Sequence, residues 1–174
     1  MISTDRLTLR RFQPGDADAF AAYRSVPEVA RYQSWDAPVS LETARTTVAQ
    51  YAEGDPTQAG WFQYAIDLDG VLIGDIGLKL HDNLRQADLG YTLAPAYQGK
   101  GYATEAVRGL LDHLFRERNL HRVSAECDAR NESSARLLTR LGFRQEGLRV
   151  ANTWFKGEWT DDVLFGLLRS DWLS

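Results

Sequence analysis

The sequence contains only one cysteine, Cys127, among its 174 residues. A single cysteine cannot form an internal disulfide, which excludes the small secreted proteins held together by disulfides and leads us to expect a cytoplasmic protein. No apolar run approaches the roughly 20 residues that a membrane-spanning helix requires. The first residues, Met1 to Arg11, alternate apolar and polar side chains, which is unlike the apolar core of a signal peptide.

An excess of basic residues is also missing. Lysine and arginine number 20 against 24 aspartate and glutamate residues, for a formal net charge of −4. No basic block occurs that could follow a nucleic acid backbone, so neither nucleic acid nor a membrane is an expected partner. With 44% hydrophobic residues, the composition is typical of one compact domain over residues 1–174.

Several motifs of catalytic and metal sites do not occur. His81, His113 and His121 lack metal-ligand spacing, so no metal is predicted. The Gly-x-Ser-x-Gly turn of serine hydrolases is absent. Cys127 lies in a predicted strand and is interpreted as a small buried hydrophobic residue rather than as a nucleophile.

Hydrophobic periodicity predicts a mixed α/β chain. Strands are predicted at Asp5 to Phe12, Trp61 to Leu68, Val71 to Leu80, Ala87 to Leu93, Arg122 to Cys127, Phe143 to Val150 and Asp162 to Leu168. Helices are predicted after the capping residues Asp16 and Ser40, from Ala103 to Phe115, and from about Glu132 to Leu141, where Gly142 ends the helix. Turns are predicted at Asp69-Gly70 and Lys156-Gly157. The three strands from Trp61 to Leu93 should form an antiparallel meander.

The most informative segment is the glycine-bearing loop Gln98 to Thr104, which lies between the strand ending at Leu93 and the long helix. The first N–H groups of a helix have no partner within the helix, and together with the helix dipole they favour a phosphate or pyrophosphate. Gly99, Gly101 and the small Ala103 would let an anion approach the backbone. The alternative is an ordinary turn between a strand and a helix, because short glycine motifs are common.

Two nucleotide-binding motifs do not fit this loop. A Walker loop needs glycine at position 94 and serine or threonine at position 101, where Ala94 and Gly101 stand. A dinucleotide-binding fingerprint needs glycine at position 104, where Thr104 stands, and a parallel βαβ unit rather than a preceding hairpin.

The loop resembles motif A of the GNAT superfamily of N-acetyltransferases, Gln/Arg-x-x-Gly-x-Gly/Ala, with Gln98, Gly101 and Ala103 at the matching positions. The segment from Asn131 to Leu138, followed by Leu141-Gly142-Phe143, resembles motif B of the same superfamily. Further segments resemble the RimJ/RimL branch: Asp5 to Arg10, Thr104-Glu105-Ala106 and Asp161-Asp162-Val163. The resemblance covers nearly the whole chain.

This resemblance implies a mixed, mostly antiparallel central sheet that is splayed at the fourth strand and flanked by helices. Acetyl-CoA would bind in the gap as a cosubstrate, without a metal. The implied cofactor-binding residues are Leu93, Gln98, Gly99, Lys100, Gly101, Tyr102, Ala103, Thr104 and Asn131. Lys100, Arg136 and Arg140 could add positive charge near the phosphates, although such residues are more often simply solvated.

The resemblance also implies direct transfer of the acetyl group to an amine. Many members use a tyrosine to protonate the departing thiolate, but Leu138 stands at that position here. The RimJ/RimL branch assigns this role to a serine that corresponds to Ser134, and the alternative is a serine that only stabilises a helix start. Asn131 has the same two interpretations, as a helix cap or as a ligand of the pantetheine arm.

The general base is predicted on the strand before the loop. Asp88 stands where related enzymes often carry a glutamate, and its alternative is a solvent-facing strand residue. Asp75 and Glu105 are weaker candidates, since a carboxylate such as Glu105 at a helix start is favoured by the helix dipole alone. The glutamate that the RimL pattern would place near Asn152 to Trp154 is missing.

The leading acceptor hypothesis is a protein N-terminal amine, whose pKa of about 7.7–8.0 lies well below the lysine value of about 10.4. A small-molecule amine such as an aminoglycoside, and a non-catalytic acyl-CoA sensor, are the alternatives. The segment Tyr32 to Pro38, which includes Trp35, is predicted to face the acceptor together with Trp154 and Trp159. These aromatic side chains are equally compatible with core packing or with the contacts of a homodimer.

Overall fold

An eight-stranded sheet organises the computed structural model, which describes all 174 residues. The strands are β1 (Ile2–Ser3), β2 (Thr8–Arg10), β3 (Gly60–Leu68), β4 (Val71–Leu80), β5 (Gln86–Leu93), β6 (Arg122–Asp128), β7 (Arg144–Phe155) and β8 (Glu158–Leu168). Their order is β1-β2-β3-β4-β5-β6-β8-β7, and only β5 and β6 are parallel. The prediction of a mixed, mostly antiparallel sheet is confirmed.

Six helices flank the sheet. They are α1 (Ala17–Arg24), α2 (Pro27–Ala30), α3 (Leu41–Glu53), α4 (Tyr102–Asp112), α5 (Glu132–Arg140) and α6 (Arg169–Trp172). The predicted helix from Ala103 to Phe115 is present, but its last turn, His113–Glu117, widens into a π-helix. None of the helices combines the length and the apolar character needed to cross a bilayer.

The helices pack on both faces of the sheet. Alternate residues of a strand point to opposite faces, and β3 shows this directly. Tyr64 and Ile66 belong to the large core that contains Leu110 and Leu111 of α4. Ala65 belongs to a smaller core with residues of α1 and α3. Helix α4 therefore covers one face, while α1 and α3 cover the other.

The predicted hairpin and helix-end glycines adopt the expected backbone. Asp69 and Gly70 have φ values of 51° and 87°, as a type I′ turn requires, and Gly142 has a φ of 92° just after α5. Each of these conformations is rare for residues with bulky side chains. Local turn chemistry therefore determined these positions.

The first predicted strand, Asp5 to Phe12, was too long. Only Thr8–Arg10 pairs with β3, because its two ends have other partners. The backbone N–H of Arg6 donates to Glu105 of α4 at 2.7 Å. Phe12 leaves the sheet and packs edge-on against Phe20, with the ring centroids 5.7 Å apart.

The predicted capping role of Asp16 was wrong. Its carboxylate accepts no hydrogen bond from the first turn of α1. It accepts instead from the backbone N–H of Gln13 at 2.7 Å and from the guanidinium of Arg10 at 2.8 and 2.9 Å. A nearby arginine therefore competes successfully for the carboxylate.

The last two strands are longer than predicted. β7 continues to Phe155 and β8 begins at Glu158, so the predicted turn Lys156-Gly157 closes a hairpin. Most of β7 is exposed, and an exposed strand lacks the apolar alternation on which the prediction rested.

The predicted cap of α3 by Ser40 is confirmed. The Ser40 Oγ atom accepts from the backbone N–H of Thr43 at 3.1 Å. We expect Ser40→Ala to lower the free energy of unfolding by about 1 kcal/mol, which is typical for the loss of a serine cap. Ser40→Asp preserves an acceptor and should remain close to wild type. Urea unfolding of both variants checks this, and equal losses would contradict the capping role.

β5 and β6 separate before either strand ends. They pair over only four residue pairs, from Gln86 with Arg122 to Leu89 with Ala125. Beyond this point β5 remains bound to β4, and β6 remains bound to β8. The sheet is therefore open between residues 90–93 and residues 126–128. The gap follows the predicted fourth strand, Ala87 to Leu93, which is β5 in the structure because the short strand β1 (Ile2–Ser3) was not predicted.

Candidate active site

A cavity of about 1050 Å³ occupies the gap between β5 and β6. Its lining combines the open ends of both strands with the loop before α4, the first turns of α4 and α5, and residues in and after α2. Among the predicted site residues, the lining includes Leu93, Gln98, Gly99, Gly101, Tyr102, Ala103, Thr104, Asn131 and Ser134. Lys100 and Asp88 do not line it. The fold thus brings the predicted loop and the predicted serine to one cavity.

The loop presents a row of free backbone donors to this cavity. None of the N–H groups from Gly99 to Thr104 donates to a backbone carbonyl, and no side chain caps α4. Gly99 and Gly101 have φ values of 74° and 81°, a region that glycine enters without steric cost. Free donors at a helix start form a site suited to an anion.

Arg6 holds the loop in place from the N-terminal segment. Its guanidinium donates to the carbonyl of Lys100 at 3.2 Å and to Glu105 at 2.6 Å, and it stacks over Tyr102 with its central carbon 4.4 Å from the ring centroid. Thr4 also donates to Glu105, at 2.6 Å. This role of Arg6 was not predicted from the sequence, although the Asp5 to Arg10 motif contains the residue.

Glu105 serves this anchoring cluster. Burial disfavours its charge, but the hydrogen bonds from Thr4 and Arg6 outweigh burial and lower the pKa of Glu105. A carboxylate that is held ionised by three hydrogen-bond donors has little tendency to take up a proton. The contacts of Glu105 therefore indicate that it anchors the N-terminal segment to α4, and they do not favour a role in proton transfer.

Three arginines border the cavity near the loop and α5. Arg136 forms an ion pair with Glu132 at 3.3 Å, whereas Arg108 and Arg140 line the cavity without an ion pair. Arg136 and Arg140 were expected near the phosphates from the sequence, whereas Arg108 was not. Its spacing was informative, because residue 108 lies two helical turns beyond Gly101 and therefore on the same side of α4.

Two glutamine side chains satisfy carbonyl groups on the open end of β5. Gln98 Nε2 donates to the carbonyl of Leu93 at 2.9 Å, and Gln33 Nε2 donates to the carbonyl of Tyr91 at 3.2 Å. Both carbonyls lie beyond the last pairing of β5 with β6. The amides therefore supply partners where ladder hydrogen bonds are missing.

Ser134 lies near the start of α5, where Asn131 caps the helix. Asn131 Oδ1 accepts from the backbone N–H of Ser134 at 3.3 Å. The side-chain oxygen of Asn131 therefore caps α5, as one of its two interpretations predicted. The Ser134 Oγ atom lies 2.8 Å from the hydroxyl of Tyr91. Burial raises the pKa of Tyr91 to about 12, against an opposing effect of the Ser134 hydrogen bond. At neutral pH, two neutral hydroxyl groups therefore share a hydrogen bond inside the cavity.

Cys127 lies close to this hydroxyl pair. Burial raises the pKa of its thiol, although a hydrogen bond with Ser134 has the opposite effect. A protonated, half-buried thiol is a weak nucleophile, in agreement with the interpretation of Cys127 as a packing residue. No His, Cys, Asp and Glu side chains form a group of three or more that could hold a metal ion.

Asp88 and Asp75 lie outside the cavity. Asp88 is opposite Ser124 in the paired part of the sheet, and its carboxylate lies 2.9 Å from His81 Nε2. Asp75 is buried, where it accepts from Arg24 at 3.0 Å, from Gln63 at 2.6 Å and from the Tyr23 hydroxyl. The role of Asp88 as a base stays a prediction.

Two carboxylates on β6 border the cavity and were missed from the sequence. Asp128 accepts from Arg130 at 2.8 Å. Glu126 makes only a loose ion pair with Arg149, at 3.8 Å. Nothing in the local sequence marks these two acidic residues, so only their position beside the gap distinguishes them.

The predicted acceptor segment contributes in part. Tyr32 and Gln33 line the cavity. Trp35 packs over Arg24, with the guanidinium carbon 3.9 Å from its ring centroid, and donates to the Arg24 carbonyl at 2.9 Å. Trp154 and Trp159 form an exposed edge-to-face pair on the β7–β8 hairpin, with centroids 5.4 Å apart. These tryptophans do not line the cavity.

Comparisons with known proteins agree with this geometry. The acetyltransferase (GNAT) domain family matches residues 6–144. An uncharacterised N-acetyltransferase of Bacillus licheniformis, p20, is 34% identical, covering 97% of this chain and 96% of its own. An acetyltransferase (GNAT family) structure from Bacillus anthracis superposes with a TM-score of 0.88 at 27% identity, covering 97% and 98% of the two chains. A ribosomal-protein-S5-alanine acetyltransferase from Vibrio fischeri superposes with a TM-score of 0.80 at 26% identity, covering 98% and 97%.

Proposed function

The chain belongs to the GNAT acetyltransferase family and is an N-acetyltransferase, and from this premise we propose that it transfers the acetyl group of acetyl-CoA directly to a protein N-terminal amine. The observation that carries the proposal is one continuous cavity. It joins the free backbone donors of residues 99–104 to the Ser134 and Tyr91 hydroxyl groups.

The cavity has the features that CoA requires. The N–H groups from Gly99 to Thr104 would hold the pyrophosphate, and Arg108 and Arg140 would add positive charge near the phosphates. The pantetheine arm would extend along the open end of β5 toward Ser134, where the Asn131 side-chain amide could bind it. Bound acetyl-CoA supplies an activated acetyl group, and the protein positions it.

Ser134 is proposed as the acid that protonates the departing thiolate. The usual tyrosine position is taken by Leu138, which is 1% exposed and belongs to the core. Tyr91 is placed to donate to Ser134 as the serine gives up its proton, because the two hydroxyl groups already share a hydrogen bond. Such a pair keeps the developing negative charge on Ser134 hydrogen-bonded.

The preference for a protein N-terminus has two supports. The Vibrio fischeri enzyme, which is similar over nearly the whole chain, is described as acetylating alanine of ribosomal protein S5. An α-amine with a pKa of about 7.7–8.0 is also easier to deprotonate than a lysine amine.

A panel of acceptors tests the proposal. Release of CoA thiol from acetyl-CoA should be fast with a peptide that has a free N-terminal alanine, and near background with the same peptide blocked at its N-terminus. Mass spectrometry should locate the acetyl group on the α-nitrogen. Turnover of an aminoglycoside or polyamine but not of peptides would contradict the acceptor assignment. CoA binding without turnover of any amine would favour the sensor alternative.

A further inference from the structure

Glu126 occupies the first position of β6 beyond its pairing with β5. The last pair joins Leu89 to Ala125. Val123 and Ala125 point into the core that contains α4, so the next residue points to the opposite face of the sheet. Glu126 thus borders the gap without a strand partner on its β5 side, and it is one of the residues that line the cavity.

Glu126 and Ser134 lie on opposite faces of the gap. Tyr91 is two residues beyond Leu89 and shares its face, and Tyr91 holds Ser134 by a hydrogen bond of 2.8 Å. Leu89 pairs with Ala125, whose side chain points away from that of Glu126. A thioester in the gap would therefore have the Ser134 hydroxyl on one side and the Glu126 carboxylate on the other.

Glu126 is also the less engaged of the two carboxylates on the strands that form the gap. Five carboxylate residues line the cavity: Asp5, Glu28, Glu105, Glu126 and Asp128. Glu105 and Asp128 are bound by arginines at 2.6 and 2.8 Å. Asp5 and Glu28 lie on the N-terminal segment and on α2, outside the two strands that form the gap. Glu126 makes no hydrogen bond, and its only ion partner is 3.8 Å away.

The charges that surround Glu126 favour uptake of a proton. Partial burial raises its pKa, as do Asp162 on β8 and Asp88 on β5, whereas Arg149 on β7 has the opposite effect. Asp128, on the same face two positions along β6, is paired with Arg130. The net effect is a raised pKa of Glu126 in a negatively charged environment. Such an environment attracts both a proton and a positively charged amine.

We propose that Glu126 binds the acceptor ammonium and takes its proton, a role that rests on the proposed function. One N–H bond breaks as the proton moves to the carboxylate and then to solvent. The freed lone pair attacks the thioester carbonyl carbon, and the C–S bond breaks. The second nitrogen proton is lost as Ser134 protonates the thiolate and regains its own proton. The products are the amide, the CoA thiol and one proton.

The test compares pH profiles of kcat/KM for Glu126→Gln and the wild type, with one peptide acceptor. Without the base, only the free-amine fraction reacts, and this fraction falls tenfold for each pH unit below the amine pKa of about 7.7–8.0. The ratio of wild-type to variant activity should therefore grow by about tenfold per unit as the pH falls from 8 to 6. The two activities should converge above the amine pKa.

Glu53→Gln is the matched control, because it removes the same charge from α3, away from the cavity lining. Its profile should be that of the wild type. Binding of acetyl-CoA, measured by calorimetry, should be the same for all three proteins. Parallel profiles of Glu126→Gln and wild type would overturn the assignment. So would a steepened acid limb in Asp88→Asn but not in Glu126→Gln. If the wild type acetylated no amine, the proposed function would fail instead.

Discussion

Gly101→Val is expected to weaken acetyl-CoA binding by roughly 100-fold while the protein stays folded. Gly101 has a φ of 81°, where a β-branched residue is strongly disfavoured. The nearest atom to an added Cβ is Arg6 Nη2 at 3.4 Å, so backbone strain rather than collision would drive the change. A loop that relaxes loses hydrogen bonds to the phosphates, each worth about 1.5–3 kcal/mol, and 1.4 kcal/mol corresponds to tenfold in affinity.

The chain offers a control for the strain itself. Gly157 has a φ of 83°, with no atom within 4 Å of an added Cβ, and it lies in the β7–β8 turn away from the cavity. Gly157→Val should therefore cost similar stability in thermal unfolding but leave CoA affinity unchanged in calorimetry. Equal affinity of Gly101→Val and wild type would remove the loop from the proposed site.

Ser134→Ala is expected to lower kcat by about 10²–10⁴-fold, the usual contribution of a positioned general acid or base. The affinity for acetyl-CoA should change little, because the serine acts on the sulfur only as the bond breaks. Tyr91→Phe should cause a smaller loss, since Ser134 remains but loses its hydroxyl partner. Steady-state kinetics with calorimetric CoA binding would measure both effects.

Thr139→Ala is the control for removing a hydroxyl from the same helix. Thr139 is exposed, does not line the cavity and donates to the carbonyl of Ala135 at 2.8 Å, so kcat should stay within about twofold of wild type, as for an ordinary surface change. A Ser134→Ala variant with nearly full activity would mean that water protonates the thiolate. Ser134 would then serve only at the helix start.

The positions of the loop and of the serine could be predicted because their signals are local. A glycine-bearing segment before a strongly periodic helix predicted an anion site at Gln98 to Thr104, and Asn131 and Ser134 lie three residues apart in a recognisable helix start. Both signals depend on chain geometry over a few residues. The structure places both segments in one cavity, as the resemblance had implied.

Which carboxylate borders the gap was harder to predict, because strand registry decides it. Asp88 is half-buried and Glu126 is exposed, and periodicity does not distinguish which of them borders the gap. The pairing of β5 with β6 ends between these two positions, so that Glu126 borders the open part of the sheet and Asp88 the closed part. Registry between strands that are 29 residues apart along the chain, from Leu93 to Arg122, is a long-range property.

The sequence by itself determined the elements whose cause is local: the turns at Asp69-Gly70 and Lys156-Gly157, the cap at Ser40, the apolar face of α4 and the glycine-bearing loop before it. Only the tertiary structure decided which distant groups meet. Arg6 donates to Glu105 beside the loop, and the hydroxyl groups of Tyr91 and Ser134 share a hydrogen bond. Arg10 donates to the carboxylate of Asp16. The physical reason is that backbone preferences act between neighbours in sequence, whereas side-chain partners are chosen by packing between strands and helices far apart in the chain.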